Sequence, residues 1–145
     1  MTKITRNISM QADPDTVWEF MDMRKWSEIS DIFAKIDLSS PEMKVGEEVN
    51  IVAGPGEEKV HYIAKITACE PCQRLEYSRI GGPLPGKSEW QISANHTGSE
   101  LHFENTFNDP LPASVKKSME MTMDKFLSEM KAAAENGGTA MNGKK

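Results

Sequence analysis

The chain has 145 residues, a net charge of −5, 38% hydrophobic and 27% charged residues, and two cysteines. That composition fits one globular domain with a core of its own and excludes a disordered chain or a disulfide-stapled scaffold. No apolar run approaches the roughly 18 residues of a membrane span, and Lys and Arg form no cluster larger than a pair such as the terminal Lys144-Lys145, so neither integral membrane association nor nucleic acid binding is expected. The opening residues Met1 to Arg6 lack the apolar stretch of a secretory signal, which makes a cytoplasmic location the expectation.

Residues 3 to 10 alternate, with Ile4, Arg6, Ile8 and Met10 on one face. Period two predicts a strand, and the mixed face suggests a sheet edge. Asp13-Pro14 then signals a helix start: Asp13 can cap, and Pro14 suits the first helical position, where its missing N–H costs nothing. Val17, Phe20 and Met21 follow at helical spacing, and a second short helix is expected over Lys25 to Asp31.

From Phe33 to Asn108 the pattern is alternating strands with short turn clusters between them. The runs are Ile36 and Leu38; Val49, Ile51 and Ala53; Val60 to Ala68; Leu75, Tyr77 and Arg79; Trp90, Ile92 and Ala94; and Leu101, Phe103, Asn105 and Phe107. Connections this short predict antiparallel hairpins, because parallel pairs need long crossovers. Gly81 to Gly86, with three glycines and two prolines, reads as a hairpin connection or a gate over a cavity mouth.

A long helix is expected after Asp109, with Pro110 and Pro112 in its first turn. Val115, Met119, Thr122, Met123, Phe126, Met130 and Ala133 make one apolar stripe, and only Met121 falls off it. Asn136-Gly137-Gly138 should end the helix. The expected organisation is one domain over residues 1–135 and a flexible tail over 136–145.

The order of one strand, two short helices, six strands and a long helix resembles the START-like superfamily, specifically its polyketide cyclase/dehydrase and lipid-transport branch. Three stretches carry the likeness: Asp13-Pro14-Asp15-Thr16-Val17-Trp18 with Trp26 following; Ile66 to Pro71 running into Arg74-Leu75-Glu76-Tyr77; and the C-terminal helix. The resemblance implies an α+β helix-grip fold, with a seven-stranded curved antiparallel sheet around the last helix and a cavity between them. It implies no single activity. Relatives bind lipids, hormones or polyketides, some cyclise or dehydrate them, and some serve as partner-binding domains.

If the sheet face carrying Ile66, Leu75, Tyr77, Trp90, Ile92, Phe103 and Phe107 meets Met119, Met123, Phe126 and Met130, the product is either a filled core or an apolar cavity. A Met-rich wall adapts to varied shapes, and Tyr62, Tyr77, Trp90 and Asn105 add a few polar groups on the same face, as ligand sites do. Arg79 shares that phase and suits a carboxylate or phosphate, or else stands at the rim in solvent. Trp26 is a candidate for the cavity mouth, while Trp18 reads as packing. The candidate ligand-binding set is therefore Trp26, Tyr62, Tyr77, Arg79, Trp90, Asn105, Phe107, Met119, Met123 and Phe126.

No catalytic constellation of known spacing is present. Should the chain be an enzyme, Tyr62, Tyr77, Arg79 and Asn105 are the available proton donors or oxyanion anchors. Cys69-Glu70-Pro71-Cys72 has redox-motif spacing, but it falls between strands rather than at a helix N-terminus, and two cysteines are half a zinc site. His61 and His102 have the phase opposite to the apolar face, and His96 lies in a turn. No metal or cofactor is expected. The leading expectation is binding of a small hydrophobic ligand, such as a lipid or polyketide-like molecule. A cyclase or dehydratase and a protein-interaction module are the alternatives, and oligomeric state is left open.

Overall fold

The computed structural model describes the backbone of residues 1–143 and the side chains of residues 1–136. Strand β1 (Thr2–Met10) is followed by α1 (Pro14–Glu19), a single 3₁₀ turn (Met23–Lys25) and α2 (Trp26–Ile29). Six strands come next: β2 (Phe33–Leu38), β3 (Glu48–Ala53), β4 (Val60–Glu70), β5 (Arg74–Gly81), β6 (Gly86–Asn95) and β7 (Gly98–Phe107). Helix α3 (Ala113–Gly143) completes the chain. Asp13 caps α1 as expected: its carboxylate accepts from the Thr16 N–H at 2.8 Å, and Pro14 occupies the first turn.

The strands form one antiparallel sheet in the order β1-β7-β6-β5-β4-β3-β2. β1 and β2 are its edges, which suits the mixed face read for β1. On that face Ile4 and Met10 are buried, while Arg6 reaches out to α3. Register shifts at Phe33/Lys35, Ile63/Ala64 and Ile66/Ala68 break the ladder locally. Such bulges bend strands, and a bent sheet can wrap a helix. The β6–β7 hairpin turns in two residues because the Asn95 side chain accepts from the N–H groups of Thr97 and Gly98. Gly98 has φ +146°, and a Cβ there would lie 2.6 Å from backbone atoms of Ala12.

α3 lies across the concave face. On one flank Arg6 Nε meets Asp124 Oδ1 at 2.8 Å, Lys131 Nζ donates to the Ser9 carbonyl, and Glu135 accepts from the Gln11 N–H. On the other flank Lys125 pairs with Asp31, and Ser30 donates to Glu129. Between the flanks Met123, Phe126, Leu127, Met130 and Ala134 are buried, and Met121 is exposed. Burying a side chain the size of Phe126 or Met130 stabilises by about 2 kcal/mol, so this stripe rather than helix propensity fixes the helix.

Two boundaries differ from expectation. α3 starts at Ala113, not at an Asp109 cap, and the Pro112 carbonyl accepts the first helical N–H, from Lys116. Proline biases the residue before it towards extended backbone, which disfavours a helical Leu111 ahead of Pro112. At the other end the helical backbone runs past Glu135 to Gly143. Lys144 and Lys145, the last of the expected tail, lie outside the described residues. Among the described residues no helix is long and apolar enough to cross a membrane.

Candidate functional site

The strand register builds a patch of three rows across β5, β6 and β7. Arg79, Gly86 and Phe107 form one row; Tyr77, Ser88 and Asn105 the next; Leu75, Trp90 and Phe103 the third. All nine side-chain positions face α3, since inward residues alternate along each strand. The middle row is polar, the third is apolar, and Arg79 stands at the outer corner.

Arg79 does not reach solvent at the rim. It is 8% exposed and lies over Gly86. Its Nη1 donates to Ser88 Oγ and Asn105 Oδ1, both at 2.7 Å. Its Nη2 donates to the Thr106 carbonyl at 2.7 Å, and its Nε to the Leu84 carbonyl at 2.9 Å. The guanidinium also lies 4.9 Å from the centre of the Phe107 ring, a cation–π contact. Every acceptor is neutral, and among the described residues no carboxylate pairs with it. Burial lowers the Arg79 pKa from its ordinary value, with Tyr77 and Tyr62 acting in the opposite direction. An arginine so held stays charged.

Between this patch and α3 is a half-open cavity of about 110 Å³. Nine of the ten candidate residues line it: Tyr62, Tyr77, Arg79, Trp90, Asn105, Phe107, Met119, Met123 and Phe126. Burial raises the Tyr77 hydroxyl pKa against the opposing effects of Ser88, Arg79 and Trp90, and it raises that of the half-buried Tyr62. Both therefore remain protonated donors near neutral pH. The Trp90 indole N–H lies near enough to the Tyr77 oxygen to influence it, yet it misses hydrogen-bond geometry. Among the described residues it is the buried side-chain polar atom left without a partner.

Trp26 is the exception among the candidates. It is fully buried and does not line the cavity. Its indole N–H donates to the Phe20 carbonyl at 2.8 Å, and its ring packs against Phe33, Trp90 and Phe126 at 5.2, 5.3 and 5.3 Å. The short helix that carries it tucks the ring behind the cavity wall, so Trp26 supports lining residues instead of standing at a mouth. Conversely, Ser88 and Thr122 line the cavity and lie outside the candidate set. Counting back by twos from Trp90 reaches Ser88 and Gly86, but the glycine-rich loop masks the true start of that strand.

That loop is pinned. Arg79 holds the Leu84 carbonyl, and the Asn108 N–H donates to the Pro85 carbonyl. Gly82 has φ +95°, and a Cβ there would sit 2.4 Å from the His61 carbonyl oxygen. At the opposite end of β5, Cys69 and Cys72 are free thiols. The Cys72 thiol donates to Asp15 at 2.9 Å, which raises its pKa, and burial raises that of Cys69. Both shifts disfavour the thiolate that redox or metal chemistry needs. His61 and His102 bond to Asn50 and Asn7 on the outer face.

No protein-family model matches the sequence, and no curated protein matches it. Solved structures do match in three dimensions. TTHA0849 from Thermus thermophilus has a TM-score of 0.78 at 12% identity, over 92% of this chain and 97% of that one. Ginseng major latex-like protein 151 from Panax ginseng has a TM-score of 0.76 at 14% identity, again over 92% and 97%. The Zhui aromatase/cyclase from Streptomyces sp. R1128 has a TM-score of 0.73 at 15% identity, over 98% of each chain. Likeness at such identities is likeness of fold. The strand order, the gripped helix and these neighbours together give this chain the helix-grip fold.

Proposed function

We propose that this protein binds a small, mainly apolar molecule in the cavity between its sheet and α3, and so sequesters or delivers it. The observation that carries this reading is the cavity itself. It has an apolar body formed by Phe103, Met119, Met123 and Phe126, and a cluster of hydrogen-bonding groups on one wall. That combination is the signature of ligand sites.

The volume, about 110 Å³, is below the roughly 300–1,000 Å³ of common ligand pockets. It is nearer the roughly 150 Å³ of a cavity that admits benzene. The space as it stands is of the order of a single ring. Lipid-sized or polyketide-like ligands need Met119 and Met123 to change rotamer, which methionine does readily.

Binding is favoured over cyclase or dehydratase chemistry because the cavity wall supplies donors and no base. Among the described residues no Asp, Glu or His lines the cavity, and proton abstraction needs a positioned acceptor. A protein-interaction role would leave the interior filled, so the opening speaks for a ligand. A cytoplasmic setting belongs to the same reading and suits two unpaired thiols.

Native mass spectrometry of gently purified protein, set against the denatured mass, tests the proposal. A noncovalent addition of small-molecule mass is expected. A bare mass that persists when the protein is offered a panel of apolar compounds would remove the ligand reading.

A further inference from the structure

We infer that the polar end of the cavity is a receptor for a single oxygen anion, so that the ligand is an apolar monocarboxylic acid bound as its carboxylate. This rests on the cavity being a ligand site and adds the charge that the site selects. Two separate observations carry it.

The first is the buried charge of Arg79. Removing a guanidinium from water is costly, and buried charges are ordinarily paired. Here four neutral acceptors hold it in place, and no carboxylate among the described residues balances it. Of the five guanidinium N–H groups, these bonds use four, which leaves one on Nη2. The second observation is the Trp90 indole, 3% exposed, whose N–H lies beside the Tyr77 oxygen without completing a hydrogen bond to it. An unsatisfied buried donor is a standing cost that a ligand acceptor would relieve.

Arg79 and Trp90 line the same cavity, and Tyr77 lies between them in the register. A carboxylate has two oxygens that can accept from several donors at once. One oxygen is placed towards Arg79 and the other towards the Tyr77 hydroxyl, beside which the Trp90 N–H lies. The charge count fits one unit: among the described residues Arg79 is the only Lys or Arg lining the cavity. A dianion such as a phosphate would leave an uncompensated negative charge among apolar walls. The ligand's body then lies against Phe103, Met123 and Phe126, as a ring or short branched chain.

The test is a pair of probes matched in shape, 4-ethylbenzoate and 4-ethylbenzamide, titrated into the intact protein with the indole N–H signals of its three tryptophans followed by NMR. Trp90→Phe identifies the Trp90 signal. The benzoate is expected to bind at least about tenfold tighter than the amide, as charge-assisted hydrogen bonds are the stronger kind, and to shift the Trp90 signal. Its affinity should fall as the probe takes up its proton near about pH 4, while that of the amide stays flat. Arg79→Gln, if folded, should lose the preference for benzoate and still bind the amide. Equal affinities for the two probes, or a Trp90 signal unmoved at saturation, would overturn the anion receptor and leave the apolar cavity standing. Failure of both probes to bind would overturn the inference together with the reading beneath it.

Discussion

The guanidinium of Arg79 on β5 reaches Asn105 on β7, two strands away, and donates to its side-chain oxygen at 2.7 Å. It gets there by crossing over Gly86 on the intervening strand. A Cβ at Gly86 would lie 1.9 Å from the Thr106 carbonyl oxygen and 2.6 Å from Arg79 Nη2. Gly86→Ala is therefore expected to destabilise the fold by about 2 kcal/mol or more, since the backbone itself must move. Urea unfolding measures this, and an unchanged midpoint would show that the crossing does not need the glycine.

Asn105 tests the same hub from its acceptor side. Asn105→Leu keeps the volume but leaves an Arg79 N–H without a partner, which should cost about 2–3 kcal/mol. Asn105→Asp supplies the missing countercharge instead. Its carboxyl pKa should be held below the ordinary value by Arg79, so its stabilising effect should be present near neutral pH and vanish as pH falls through that lowered pKa. The same substitution should weaken binding of an anionic ligand. Melting curves of both variants across acid pH distinguish the two effects.

Trp26 and Met123 separate support from lining. Trp26→Ala removes a fully buried indole and its bond to Phe20, and should cost about 3–5 kcal/mol. Trp26→Phe should cost less and leave ligand affinity within about twofold, because the ring does not touch the cavity. Met123→Ala should cost about 2–3 kcal/mol while enlarging the cavity and admitting bulkier ligands. Calorimetric titration of the two variants with one probe series checks this. A Trp26→Phe protein that folds well but loses binding would place Trp26 at the site after all.

Acid should unfold the protein. Burial pushes the Glu76 pKa up, but the Thr67 hydroxyl, Lys87 and Arg74 outweigh it and hold the carboxylate below its ordinary range. The Gln11 N–H and Lys131 do the same for Glu135, which ties β1 to α3. A pKa lower in the folded than in the unfolded state gives stability that is complete above the unfolded value, about 4.3, and lost as pH drops through the folded one. Stability should be nearly flat from about pH 7 to 5 and fall below about pH 4. Glu76→Gln should make the acid limb shallower. Parallel curves for wild type and variant would assign that limb to other groups.

The fold was legible because its signals are repetitive. Alternation along seven strands and one helical stripe survive an error of a residue or two at any boundary. Asp13-Pro14 was legible because capping is local chemistry. Arg79 was the harder case: its phase put it on the inner face, but burying a charge there depends on Gly86 and on two acceptors of β7, brought alongside only by the register. Trp26 failed for a related reason. Helical spacing over one turn cannot tell whether a ring points at a cavity or behind its wall. Ser88 was missed because β6 begins inside the glycine-rich loop, where turn residues hide an alternation that continues through it.

Methyl NMR of the methionines addresses the central claim most directly. Met119 and Met123 line the cavity, whereas Met10 and Met21 are fully buried outside it. Titration with a small apolar acid is expected to shift the methyl signals of Met119 and Met123, saturate at one equivalent, and leave those of Met10 and Met21 in place. Shifts spread over all four methyls, or confined to the exposed Met121, would contradict a ligand held between the sheet and α3.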